Sequence, residues 1–286
     1  MNLIAELSAD AAAARAPRAL VFDSGLGGLS VLAEIRRLRP DVEIVYAADD
    51  AAFPYGRLSE AALVARVETV MERLIGETEP DIVVIACSTA STLALPPLRG
   101  AHPRLPFVGT VPAIKPAAAA SRSGLISVLA TRGTVARDYT HALVRDHAAD
   151  CEVTLVGSSL LALIAECIMR GEEVEEGEIS RQIAPCFVER AGRRTDHVVL
   201  ACTHFPLIVD KLGQLSPWPV AFVDPAPAIA RRLDALLGAA RPGATPSREG
   251  AAIFTSGETP RPELQKTLHR YGLTFTPTAL IGSAPA

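Results

Sequence analysis

Two stretches decide how the chain is read: Pro80-Asp-Ile-Val-Val-Ile-Ala-Cys-Ser-Thr-Ala-Ser-Thr92 and Thr195-Asp-His-Val-Val-Leu-Ala-Cys-Thr-His-Phe-Pro-Leu207. Each sets an aspartate ahead of a short apolar run rich in Val and Ile, then delivers an Ala-Cys pair followed by a hydroxyl residue. Runs this short and this β-branched suit strands buried on both faces of a parallel sheet. Cys87 and Cys202 then fall just past the carboxyl ends of their strands, the edge where open α/β sheets hold ligands. Two similar units therefore deliver two thiols to equivalent places.

Around these stretches, strands alternate with helical patterns. Arg18 to Phe22 reads as a strand, Asp23-Ser-Gly-Leu-Gly-Gly28 as a turn, and Leu29 to Leu38 as a helix. The turn lacks G-x-G-x-x-G spacing, so a carboxylate fits it better than a dinucleotide. A strand from Val42 to Ala47 and a polar loop through Pro54-Tyr55-Gly56 precede a helix opened by Ser59 and Glu60. The proline-rich segment from Leu95 to Pro116 suits a crossover between domains. A second β/α series follows: strands at Gly124 to Ala130 and Glu152 to Val156, helices near Arg137 to Ala148 and Ser158 to Arg170, and a long acidic helical region to about Gly192. Asp224 to Ala230 reads as the return into the first domain, with a helix from Ile229 to Leu237 and one further strand at Ala251 to Thr255. The expectation is an α/β protein with a flexible extension at 1–17, a first domain at 18–111 and 225–286, and a second at 112–224.

Composition sets limits on function. The 286 residues are 49% apolar and carry a formal charge of −4, so the chain can bury a large core and lacks the basic footprint of a nucleic-acid binder. Its five cysteines are an odd set without zinc-like spacing, so no metal is expected and reduced thiols in the cytoplasm are the simplest account. Glu6 and Asp10 interrupt any leader-like start, and no apolar run reaches the roughly 18 residues of a membrane span.

The chemistry then turns on the thiols. A single cysteine points to a nucleophile helped by histidine, as in a thiol hydrolase. Two facing cysteines suit proton removal from one side of a carbon and delivery from the other, which requires sulfurs about 7 Å apart. Packing is the competing account of any buried cysteine, and it is the one adopted for Cys151, Cys167 and Cys186. Asp23 reads as a site group or as a cap for the following helix. His204 reads as a site group or a buried structural imidazole, and Glu166 as a site group or an ion-pair partner of Arg170 four residues on.

The motifs F-D-S-G-L-G-G (Phe22 to Gly28), P-Y-G (Pro54 to Gly56), A-C-S-T-A-S (Ala86 to Ser91), G-T-V-P-A (Gly109 to Ala113) and A-C-T-H-F-P (Ala201 to Pro206) together resemble the glutamate racemases. D-P-A-P-A-I-A at Asp224 to Ala230 and T-S-G at Thr255 to Gly257 extend the likeness. The resemblance implies two pseudo-symmetric three-layer α/β domains, the second inserted into the first. It also implies cofactor-independent interconversion of L- and D-glutamate for peptidoglycan synthesis. By motif, Cys87 and Cys202 become the acid/base thiols, with Asp23, His204 and Glu166 beside them. Ser24, Tyr55, Gly56, Ser88, Thr89, Thr203, Asp23 and His204 fall where that family binds substrate. Ser88 stands where the family has asparagine, offering one hydroxyl in place of an amide. The three lysines, Lys115, Lys211 and Lys266, sit in no Schiff-base motif, so a closed, water-poor pocket has to stabilise the carbanion. The family often dimerises, and a cell-wall precursor is a candidate activator. Two rivals stay open: a racemase for another acidic amino acid such as aspartate, and a two-lobed amino-acid-binding regulator without turnover.

Overall fold

Burial on both faces explains why the repeated runs lie inside their sheets. The computed structural model describes residues 15–240 and 249–277, and the expected extension lies outside them except for 15–17. In chain order the strands are β1 (Arg18–Asp23), β2 (Glu43–Ala48), β3 (Ile82–Ile85), β4 (Phe107–Gly109), β5 (Leu125–Thr131) and β6 (Glu152–Ser158). They continue as β7 (Glu189–Arg190), β8 (Arg193–Arg194), β9 (His197–Leu200), β10 (Ala221–Val223), β11 (Gly250–Phe254) and β12 (Leu273–Phe275). Six strands form one sheet in the order β12-β11-β2-β1-β3-β4 and four form another in the order β10-β9-β5-β6. All pairings in both sheets are parallel, with Phe22 opposite Ile85 beside the first cysteine and Leu129 opposite Leu200 beside the second. The chain leaves the larger sheet after β4 and re-enters it at β11, so the smaller sheet is an insertion.

Alternation along the strands builds three layers in each half. On one face of the larger sheet Val21, Tyr46 and Val84 pack with the helices Leu29–Leu38 and Ala226–Leu237. On the other, Leu20, Val83 and Ile85 pack with Glu60–Thr78 and Ser88–Ala101. The smaller sheet repeats the plan, setting Val198 and Leu200 against Leu161 and Ala165 on one side and Val128 and Val199 against Ile114 and Ala117 on the other. Each such Val, Leu or Ile contributes about 1.5–3 kcal/mol by leaving water, which pins the strands and therefore the loops at their ends. No helix among the described residues is long and apolar enough to cross a membrane.

Four expectations need correcting. The proline-rich segment is a crossover only in its last part, after Gly109, because Pro96 and Pro97 lie inside the helix Ser88–Ala101 and β4 follows before the chain passes to the smaller sheet. Those prolines forfeit the backbone bonds to the carbonyls of Thr92 and Leu93, while the buried row Ala90, Ala94 and Leu98 keeps the helix on the sheet. The acidic region is not one long helix either. It stops at Ile183, makes a 3-10 turn around Pro185, and ends in the antiparallel hairpin β7–β8, whose turn holds Ala191 and Gly192 at positive φ. The helix expected from Ser158 begins at Leu161, because β6 runs on to Ser158. Finally, the tail carries two strands with the helix Pro262–Arg270 between them.

Candidate active site

The site is assembled where β1, β3, β5 and β9 end. Cys87 follows β3 and occupies the N-cap position of the helix Ser88–Ala101 without a side-chain capping bond. Cys202 follows β9, but a short turn from Phe205 to Ile208 separates it from the next helix. Its positive neighbour is a side chain instead: His204 Nδ1 lies 3.8 Å from the Cys202 sulfur. Both thiols line one cleft between the halves, together with Ser24, Tyr55, Gly56, Ser88, Thr89, Thr203 and His204. The room for solvent inside is about 30 Å³, enough for a water or two.

Asp23 and Glu166 lie behind that lining and hold it. Asp23 Oδ1 accepts from the Gly25 N–H (2.8 Å), and Oδ2 accepts from the Thr203 hydroxyl of the other half (2.9 Å). The helix after Gly28 has no side-chain cap, so Asp23 does not serve it. Glu166 Oε1 accepts from His204 Nε2 (2.9 Å) and from the Leu26 N–H across the halves. Its second oxygen pairs with Arg170 at 3.2 Å, so the expected helix-surface pair exists alongside the buried contacts. Glycines permit this approach: a Cβ on Gly25 would come 2.3 Å from Glu166 Oε1, and one on Gly27 would come 2.4 Å from His204 Nδ1.

The electrostatics differ between the two thiols. Burial, reinforced by the nearby Asp23 charge, pushes the Cys87 thiol up to about 12. Its sulfur is 3.7 Å from Ser24 Oγ. Burial would lower the His204 imidazole, but Cys202, Glu166 and Asp23 outweigh it and lift the ring well above its ordinary value. His204 faces a sulfur on one side and a carboxylate on the other, and both favour its protonated form. Burial would likewise raise Glu166, yet His204, the Leu26 N–H and Arg170 hold it below the usual range. Asp23 is raised by burial, against the opposing pull of His204, Gly25 and Thr203.

Thr131 and Thr134 also line the cleft, as do Phe53, Pro54, Ala162 and Ala201. The threonines had a legible signal, since Thr131 closes β5 at the same sheet edge as the cysteines. Phe53 had none: its ring lies 5.5 Å from that of His204 because the loop folds back over the cleft. One lining group stands out chemically. Ser88 Oγ is buried and has no hydrogen-bond partner, at the amino end of a 14-residue helix. A buried hydroxyl in that state costs free energy unless a ligand completes it.

A closed cleft with a thiol from each half, backed by ionisable partners and lined by hydroxyls, suits moving a proton at a carbon next to a carboxylate. Residues 29–233 match the Asp/Glu/Hydantoin racemase family, and the chain belongs to that family of enzymes. A glutamate racemase from Brucella canis is 52% identical over 257 residues, spanning 90% of this chain and 92% of that one. Among solved structures, Escherichia coli glutamate racemase in complex with L-glutamate and the activator UDP-MurNAc-Ala superposes with a TM-score of 0.83 at 41% identity, covering 94% of this chain and 98% of that one. Glutamate racemase from Aquifex pyrophilus gives 0.63 at 28% identity over 89% and 94%.

Proposed function

We propose that this chain interconverts L- and D-glutamate in the cytoplasm, supplying D-glutamate for peptidoglycan, with Cys87 and Cys202 as the two acid/base groups. The observation that carries the reading is one cleft lined by a thiol from each half, each thiol with its own ionisable neighbours. We take 18–111 with 225–286 as one domain and 112–224 as the other, so that each domain contributes one sulfur. In the reaction, one thiolate takes the proton from the α-carbon, the C–H electron pair moves toward the α-carboxylate, and the opposite thiol delivers a proton to the other face. A new C–H bond forms with inverted configuration, and the two sulfurs exchange protonation states.

The surroundings support this division of labour. His204, whose protonated form its neighbours favour, stands 3.8 Å from the Cys202 sulfur, and Glu166 holds the ring in place. Cys87, kept protonated by burial, is ready as a donor. Carboxylate charge is met by the amide end of the helix Ser88–Ala101 and by the hydroxyls of Ser24, Ser88 and Thr89, while the Thr203 hydroxyl stays committed to Asp23. Because the cleft has room for only a water or two, we infer that the halves part to admit substrate and close to exclude solvent. By analogy with the Escherichia coli relative, whose structure holds the activator UDP-MurNAc-Ala, a precursor of that kind is proposed as an activator; a homodimer is proposed as the working assembly from the sequence resemblance alone.

The test is racemisation of L-glutamate by the wild type, Cys87→Ser and Cys202→Ser, followed by circular dichroism. Inversion by the wild type and loss of at least about a thousandfold in each variant is the expected result. Full activity in either variant contradicts the paired-thiol reading and favours a single nucleophile. Binding without inversion favours a sensor, and faster turnover of L-aspartate reassigns the substrate.

A further inference from the structure

Two motifs take no part in the chemistry above: the aspartate pair after β2 and the T-S-G turn after β11. They meet beneath one wall of the cleft. Asp49 is fully buried. Its Oδ2 accepts from the Tyr55 hydroxyl (2.6 Å) and from Arg66 Nε (2.9 Å), while Oδ1 accepts from Arg66 Nη2 (2.6 Å) and from the Thr255 hydroxyl. Next to it, Asp50 accepts from the Ser256 N–H (2.9 Å) and hydroxyl (2.6 Å). A buried carboxylate is tolerated only when its partners are complete, and here the set is a forked guanidinium and two hydroxyls.

What this cluster holds is the cleft wall Pro54-Tyr55-Gly56. Burial and the adjacent Asp49 charge keep Tyr55 well above its ordinary value, so its hydroxyl stays a donor and is committed to Asp49. Tyr55 therefore reaches the ligand through its ring and backbone. The ring also packs at a tilt near that of Phe22, with the centroids 6.5 Å apart. Thr255 ties the wall to β11, which the chain reaches only after completing the inserted half.

We propose that Asp49 is a positioning residue for the bound amino acid: the Asp49–Arg66–Thr255 clasp sets where Tyr55 and Gly56 stand, and through them the affinity of the cleft. The proposal rests on the reading of the cleft as a glutamate site. It is tested by calorimetric binding of L-glutamate together with the KM-against-kcat split for Asp49→Asn, Arg66→Lys, Tyr55→Phe and Thr255→Val. Asp49→Asn should raise Kd and KM about tenfold, with kcat changing less than about threefold because both sulfurs are untouched. Arg66→Lys, which keeps the charge but loses the fork, should fall between that variant and wild type. Should Asp49→Asn fail to fold, Tyr55→Phe and Thr255→Val decide the matter, since each removes one neutral donor and should raise Kd about threefold. Wild-type Kd and KM in the folded variants, even with a lowered unfolding midpoint, overturn the proposal and leave a purely structural cluster. Glutamate bound but not inverted by the wild type refutes the racemase reading alone, whereas no binding at all refutes both.

Discussion

Ser88 and His204 carry the sharpest expectations for single side chains. The Ser88 hydroxyl lacks a protein partner, so removing it takes nothing from the fold but deprives a ligand of one hydrogen bond. Ser88→Ala is expected to raise the KM for glutamate by about three- to tenfold without lowering the unfolding midpoint, read by steady-state kinetics and calorimetry. For His204 the sign follows from a ring held well above its ordinary 6.5. A group raised on folding stabilises fully below its unfolded value, and that contribution fades as pH rises through the folded one. The stability gap between wild type and His204→Asn should therefore be widest near pH 6 and narrow toward alkaline pH. A gap that widens with pH would contradict the raised value of His204. In the sequence, Glu166 had an equally good bland account and His204 a weaker one, since spacing does not reveal that an imidazole and a carboxylate 38 residues apart share a hydrogen bond.

At the scale of elements, the glycine turn after β1 lets the second half touch the first. Gly27→Ala would place a Cβ 2.4 Å from His204 Nδ1 and 2.6 Å from Thr203 Oγ1. Neither atom has slack, because His204 is pinned by Glu166 and Thr203 by Asp23. The expected outcome is a loss of stability of about 1–3 kcal/mol and a fall in kcat beyond about tenfold, measured by denaturant melts and kinetics. Gly56 gives the contrast, with open space where its Cβ would project, so Gly56→Ala should fold normally. Elements with a strong period or a clear cap were legible in advance: Leu29–Leu38, and the helix whose Ser59 accepts from the Ala62 N–H. Those missed were settled by tertiary burial. A helix containing Pro96 and Pro97 persists because its alanine and leucine face has a sheet to cover, and β4 is only three residues long. The hairpin β7–β8 carries charge on every strand residue, so no apolar alternation announced it.

For the whole molecule, two parallel sheets present their carboxyl ends to one another, and each brings one cysteine to the cleft. The small room of about 30 Å³ in the cleft that Cys87 and Cys202 line leads us to expect an open, substrate-admitting state. Small-angle scattering should register a more compact chain with glutamate than without, and identical profiles would count against closure. The central claim is that two sulfurs act on opposite faces of one carbon, and early-time isotope labelling in deuterium oxide tests it most directly. With L-glutamate supplied, the account predicts deuterium at the α-carbon of the newly formed D-glutamate and none in the L-glutamate recovered before the reaction has progressed far. Label appearing equally in recovered L-glutamate, or a D-product that keeps the original proton, would show a single base at work and contradict it.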